Sequence, residues 1–159
     1  MFKDEKIETT GGKDEFYRLL VLQMEAVLED ENDDIANFAN FSAVLFSQMD
    51  SINWCGFYLF KENVLILGPF QGKPACTRIE VGKGVCGTAF ANRQTQIVEN
   101  VHKFDGHIAC DSDSNSEIVI PIYKNGDCVG VLDIDSPEFS RFDKTDEKYL
   151  TQMVSFLFK

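Results

Sequence analysis

The feature that most constrains this chain is a change of hydrophobic period near Ile52. Before it, apolar residues recur at helical spacing; after it, short apolar runs alternate with turn residues. From Lys13 to about Asp30 the stripe Phe16, Leu19, Leu20, Met24, Val27 and Leu28 predicts an amphipathic helix. The acidic run 29–34 ends it and offers N-cap residues to a second helix, from Ile35 to Met49. That helix should bury Ile35, Phe38, Phe41, Leu45, Phe46 and Met49. Predicted strands follow at Ile52–Phe60, Val64–Gly68, about Ala75–Ile79 and Gln96–Glu99, with a short helix over Val85–Asn92. Glu117–Tyr123 and Cys128–Asp135 are joined through Asn125-Gly126, a strong hairpin signal. A helix over Thr145–Phe158 closes the pattern. Helices, then strands, then a helix predict an α+β domain: a mainly antiparallel sheet with helices on one face.

At 159 residues the chain fits one domain, spanning 1–159, with residues 1–12 expected to be poorly ordered. A formal net charge of −11 would repel phosphates, which argues against nucleic acid as a partner. The first residues carry mixed charges and no apolar stretch suited to secretion. No apolar run approaches the ~20 residues of a membrane span. A cytoplasmic location is therefore expected.

Asp133 and Asp135 lie two apart in a strand pattern, so their carboxylates share a face. Glu117 opens the paired strand and adds a third acid if it faces the same way. Three buried carboxylates need a ligand ammonium, a shared proton or a metal ion to coexist. Trp54 and Tyr58, four apart, share a face of the first strand and could wall a small cationic or thioether ligand. Of five cysteines, Cys55 and Cys128 sit among apolar strand residues and read as inert. Cys86 falls near a helix start, where the macrodipole favours a thiolate. Cys76 lies near Pro74, and Cys110 lies in the long polar loop 100–116 beside His107. An accessible thiol near a histidine is a candidate nucleophile. No Cys-x-x-Cys pair supports a zinc site, which leaves only one assembled through the fold from two histidines and three cysteines, and no Gly-x-Ser-x-Gly elbow supports a serine nucleophile.

Asn53-Trp54-Cys55-Gly56-Phe57-Tyr58, Gly82-Lys83-Gly84-Val85-Cys86-Gly87, His107-Ile108-Ala109-Cys110-Asp111 and Gly130-Val131-Leu132-Asp133-Ile134-Asp135-Ser136 resemble the free methionine-R-sulfoxide reductases. Gly68-Pro69-Phe70-Gln71-Gly72 and Ser114-Asn115-Ser116-Glu117-Ile118-Val119 share the likeness. The resemblance implies a GAF fold, a six-stranded antiparallel sheet flanked by helices. It implies thiol-based reduction of free methionine-R-sulfoxide without a cofactor or resident metal. Cys110 takes the catalytic position, Cys76 that of the resolving thiol, and Cys86 that of its alternative. Trp54, Tyr58, Glu117, Asp133 and Asp135 fall on substrate-pocket positions. Thioredoxin as reductant and a homodimer follow from the same likeness. A non-catalytic GAF sensor for a cyclic nucleotide is the rival, and acidic residues suit its phosphate badly.

Overall fold

The computed structural model describes residues 5–106 and 111–158. Helices α1 (Gly12–Leu28) and α2 (Asp34–Gln48) come first. The Asp33 carboxylate accepts from the Ala36 amide at 2.9 Å, satisfying a donor that the first turn of α2 leaves open. Six strands follow: β1 (Trp54–Lys61), β2 (Val64–Gly72), β3 (Arg78–Glu80), β4 (Gln96–Val98), β5 (Ser116–Lys124) and β6 (Asp127–Ser136). They form one antiparallel sheet in the order β3-β2-β1-β6-β5-β4. Helix α3 (Gly84–Asn92) lies between β3 and β4 in the chain, and α4 (Lys144–Val154) closes it. Two hairpins turn at Glu62-Asn63 and Asn125-Gly126, where all four residues have positive φ. Such turns match the twist of the paired strands.

Helices cover both sheet faces, not one as the sequence pattern predicts. Strand alternation sends Cys55, Phe57, Ile118, Ile120, Leu132 and Ile134 towards α1, α2 and α4. Trp54, Tyr58, Val119 and Val131 point the other way and meet Val85, Cys86 and Ala89 of α3. The central strands are apolar on both sides, so a second layer must shield the second face. Each fully buried Leu or Phe in these layers contributes about 1.5–3 kcal/mol.

Other differences have local causes. Ile35 and Phe46 are exposed and Leu19 is 40% exposed, because the buried stripes are rotated from those predicted. In α2 the interior side instead includes Asn37, Ser42 and Gln48. Gln48 uses its amide to hold the N-terminal segment: its oxygen accepts from Ile7 N at 2.8 Å, and its nitrogen donates to Glu5 O at 3.1 Å. Strand β2 runs through Pro69 to Gly72 rather than ending at Gly68. The pairing of β1 with β2 slips by one residue between Gly56–Phe70 and Tyr58–Leu67, so Pro69 sits at a bulge that spares its missing N–H. The third strand is only Arg78–Glu80, and α4 stops at Val154. After α4, Phe156 N bonds to Met153 O at 3.0 Å in a tighter turn that places Leu157 in the core.

One buried acid joins the first and last helices. Asp146, fully buried, accepts from Tyr17 Oη at 2.6 Å and pairs with Lys13 at 2.5 Å and Arg141 at 3.4 Å. Removing it strands a buried hydroxyl and breaks the capping box of α4. Asp146→Ala is expected to cost about 3 kcal/mol in urea unfolding, and Tyr17→Phe about 1 kcal/mol.

Candidate functional site

Strand register assembles the site. Trp54 of β1 lies opposite Asp135 of β6, which lies opposite Glu117 of β5, so these three form a row across the sheet. Gly56, Asp133 and Val119 form the next row on the same face. The first turn of α3 covers them, leaving a cavity of about 530 Å³, its open mouth included. Trp54, Tyr58, Cys86, Glu117, Asp133 and Asp135 all line it, as do Asp111 and Ser114.

The floor is acidic and buried. Glu117 is 5% exposed, Asp133 6% and Cys86 4%. Burial, then the charges of Asp133 and Asp135, push the Glu117 carboxyl well above the usual carboxylate range. Burial also raises Asp133, but its hydrogen bonds with Glu117 and Cys86 oppose the shift. Glu117 and Asp133, joined by a hydrogen bond, are favoured to hold a proton between them rather than two negative charges. Asp135 is raised by burial and by its neighbours Asp133 and Asp111. Asp133 Oδ1 is buried with no hydrogen-bond partner among the described residues.

Cys86 departs from the sequence expectation of a helix-stabilised thiolate. It lies in the first turn of α3, but burial and the charges of Asp133 and Glu117 push its thiol well up. Desolvation and like charge together outweigh the helix end. Cys86, Cys55 and Cys128 are free thiols.

An aromatic stack walls the cavity. The Trp54 ring lies 5.2 Å from Phe70 and 5.9 Å from Tyr58, centroid to centroid, nearly parallel to both. Gly56 permits this: a Cβ there would come within 2.8 Å of the indole and 2.3 Å of Phe70 Cβ. The polar ends of the stack hold the segment before β3. Trp54 Nε1 donates to Lys73 O at 3.1 Å, and Tyr58 Oη donates to Cys76 O at 2.9 Å. Half-buried Cys76 is thus fastened at the rim by its own carbonyl.

Cys110 and His107 lie outside the described residues. Asp111, the next residue, borders the cavity. The backbone N–H of Asp113 lowers its pKa most, against burial, and Lys73 and Asn53 add to the effect. The bonds are Asp113 N to Oδ1 at 2.9 Å, Asn53 Nδ2 to Oδ2 at 3.2 Å, and Lys73 Nζ to Oδ1 at 3.4 Å. Lys73 also pairs with Asp113 at 2.5 Å. Asn53 further donates to Ser114 Oγ at 3.1 Å. The sequence pattern does not single out Asn53, Lys73 or Ser114, because their bonds cross about 40–60 residues of chain and carry no spacing signal.

The raised carboxyls tax the empty protein. A group protonated in the fold but not in the unfolded chain loses stability as pH rises above its ordinary value. Unfolding at pH 5 and pH 8 should show ligand-free protein weaker at pH 8, by at most about 1.4 kcal/mol per pH unit for each carboxyl that stays protonated in the fold. Glu117→Gln should be the more stable protein at pH 8 and show a flatter pH profile.

Comparison with known proteins places this geometry. The GAF domain family matches residues 23–158. Protein YtsP of Bacillus subtilis is 56% identical across 100% of this chain and 98% of its own length. The free methionine-R-sulfoxide reductase of Escherichia coli is 53% identical over 93% of this chain and 90% of its own. An X-ray structure of free methionine-R-sulfoxide reductase from Neisseria meningitidis, in complex with its substrate, aligns with a TM-score of 0.90 at 43% identity. It covers 98% of this chain and 93% of that one. Likeness of this extent, running through the sheet and the strands that carry the acids, makes the chain a member of the free methionine-R-sulfoxide reductases, a family built on the GAF domain.

Proposed function

We propose that this chain, as one domain over residues 1–159, reduces free L-methionine-(R)-S-oxide to L-methionine by thiol chemistry. The observation that carries the reading is the shared row of Glu117, Asp135 and Trp54, with Asp133 beside it, in one cavity. A carboxylate floor complements the ammonium of an amino acid, and an indole wall suits its thioether end. Of the relatives named above, those from Escherichia coli and Neisseria meningitidis carry the name free methionine-R-sulfoxide reductase, and the latter is in complex with its substrate.

In this mechanism the Cys110 thiolate attacks the sulfoxide sulfur. A carboxyl of the Glu117/Asp133/Asp135 cluster supplies the proton that the departing oxygen needs. Methionine leaves, and Cys110 retains the oxygen as a sulfenic acid. The Cys76 thiol then condenses with it, releasing water and forming a disulfide. A thioredoxin dithiol reduces that disulfide by exchange and becomes oxidised itself. Cys86 is a free, buried thiol with a raised pKa, which favours Cys76 over it as the resolving partner. Enclosure of both the amino and the carboxyl group would exclude sulfoxide within a polypeptide. A cytoplasmic homodimer completes the reading. No helix among the described residues is long and apolar enough to cross a membrane.

NADPH consumption through thioredoxin and its reductase tests this, with the two sulfoxide epimers offered separately. The R epimer alone should be turned over. Cys110→Ser should lower the rate by at least about a thousandfold. Cys76→Ser should release one equivalent of methionine and then stall with thioredoxin. Full turnover by Cys110→Ser would remove the thiol mechanism.

A further inference from the structure

Asn53 stands where the strand wall meets the rim. Its backbone N–H donates to Asp135 O at 3.0 Å, which ties it to β6 one residue before Trp54 opens β1. Its side-chain amide then donates twice, to Asp111 Oδ2 at 3.2 Å and to Ser114 Oγ at 3.1 Å. Among side chains of this length only an amide carries two N–H donors on one atom. Turning it over would set its oxygen against the Asp111 carboxylate, so its orientation is fixed. That oxygen has no hydrogen-bond partner among the described residues, and the side chain serves wholly as a donor. The groups it holds are shielded: the Asp111 side chain is 7% exposed and Ser114 is 4% exposed. Lys73, which reaches Asp111 from outside, is 62% exposed, so salt screens its pull while the amide fork keeps its own. Just downstream, Asn115 N donates to Ser136 O at 2.8 Å and fastens the chain to the end of β6. Asp111 opens this held stretch and is the chain neighbour of Cys110.

We propose that Asn53 is a positioning residue for sulfoxide reduction: by fastening Asp111 and Ser114 beside Asp135, it sets the direction from which the chain presents Cys110 to the cavity. The proposal rests on the reading of Cys110 as nucleophile. Asn53 is not among the residues that line the cavity, so its effect passes through the held stretch and not through contact with a ligand. A reacting group displaced by about 1 Å can lose about a hundredfold in rate. Loss of the fork therefore slows the chemical step and leaves binding on the strand wall nearly as it was.

Single-turnover release of methionine by the reduced full chain tests it, beside calorimetric binding of L-methionine. Asn53→Ala should slow release by at least about tenfold and change methionine affinity by less than about threefold. A merely structural role would lower both or neither. Deuterium exchange at the Asp113 amide, which donates to Asp111 Oδ1, should quicken by about three- to tenfold in the same variant, whatever the chain turns over. Asn53→Asp sets two carboxylates face to face and should be slower still. Adding Asp111→Asn reverses donor and acceptor across the same bond and should recover at least about tenfold of that loss. This pair decides the matter if near-ultraviolet circular dichroism shows Asn53→Ala unfolded. An unchanged release rate, a rate that falls only in step with affinity, unaltered exchange at Asp113, or no recovery in the double variant would overturn the proposal. No methionine from the unaltered chain would sink the function proposed above, and exchange would then decide whether Asn53 holds the stretch.

Discussion

Carboxyl groups repel one another when they share a dry floor, and everything around this cavity is arranged to make them share it. Glu117 and Asp135 are cross-strand neighbours, with Asp133 one row away on the same strand face. Bulk water would screen them, but α3 packs over this face of the sheet and leaves Glu117 and Asp133 buried. The resulting tension raises the proton affinity of the Glu117 and Asp133 carboxyls, and one oxygen of Asp133 has no hydrogen-bond partner among the described residues. A pocket in this condition selects for positive charge before any contact is optimised. Its stability and its readiness to bind are therefore opposed.

The same sheet that concentrates the acids supplies their rigidity. β1, β6 and β5 lie inside the sheet, packed by helices on one face and by α3 on the other. Rotamers on such strands are fixed by their neighbours, so the acids cannot swing into solvent to escape one another. Loops contribute differently. The segments around residues 73–76 and 111–114 reach the rim and are held by side-chain bonds from the strand wall.

Legibility in the sequence followed the range of the governing interaction. Strand parity put Asp133 with Asp135 and Trp54 with Tyr58, because a period of two is local. Asn125-Gly126 announced its turn for the same reason. Helix existence was readable, but helix phase was not: Ile35 and Phe46 look as apolar as Phe38 and Phe41, and tertiary contact decides which are covered. Pro69 suggested a strand end, whereas a bulge accommodated it. The chemical state of Cys86 could not be read from a helix start alone, since its neighbours Glu117 and Asp133 arrive from distant strands. The six-stranded GAF architecture was legible through family resemblance rather than through periodicity.

Lys73 has a place in the molecule out of proportion to its exposure. Its carbonyl receives the Trp54 indole, and its ammonium bridges Asp111 and Asp113. Three residues further on stands Cys76, and the residue before Asp111 is Cys110. Two stretches separated by over thirty residues of chain are thereby moored to one post. Whatever passes between them is an intramolecular encounter at high effective molarity, governed by tether length rather than by diffusion.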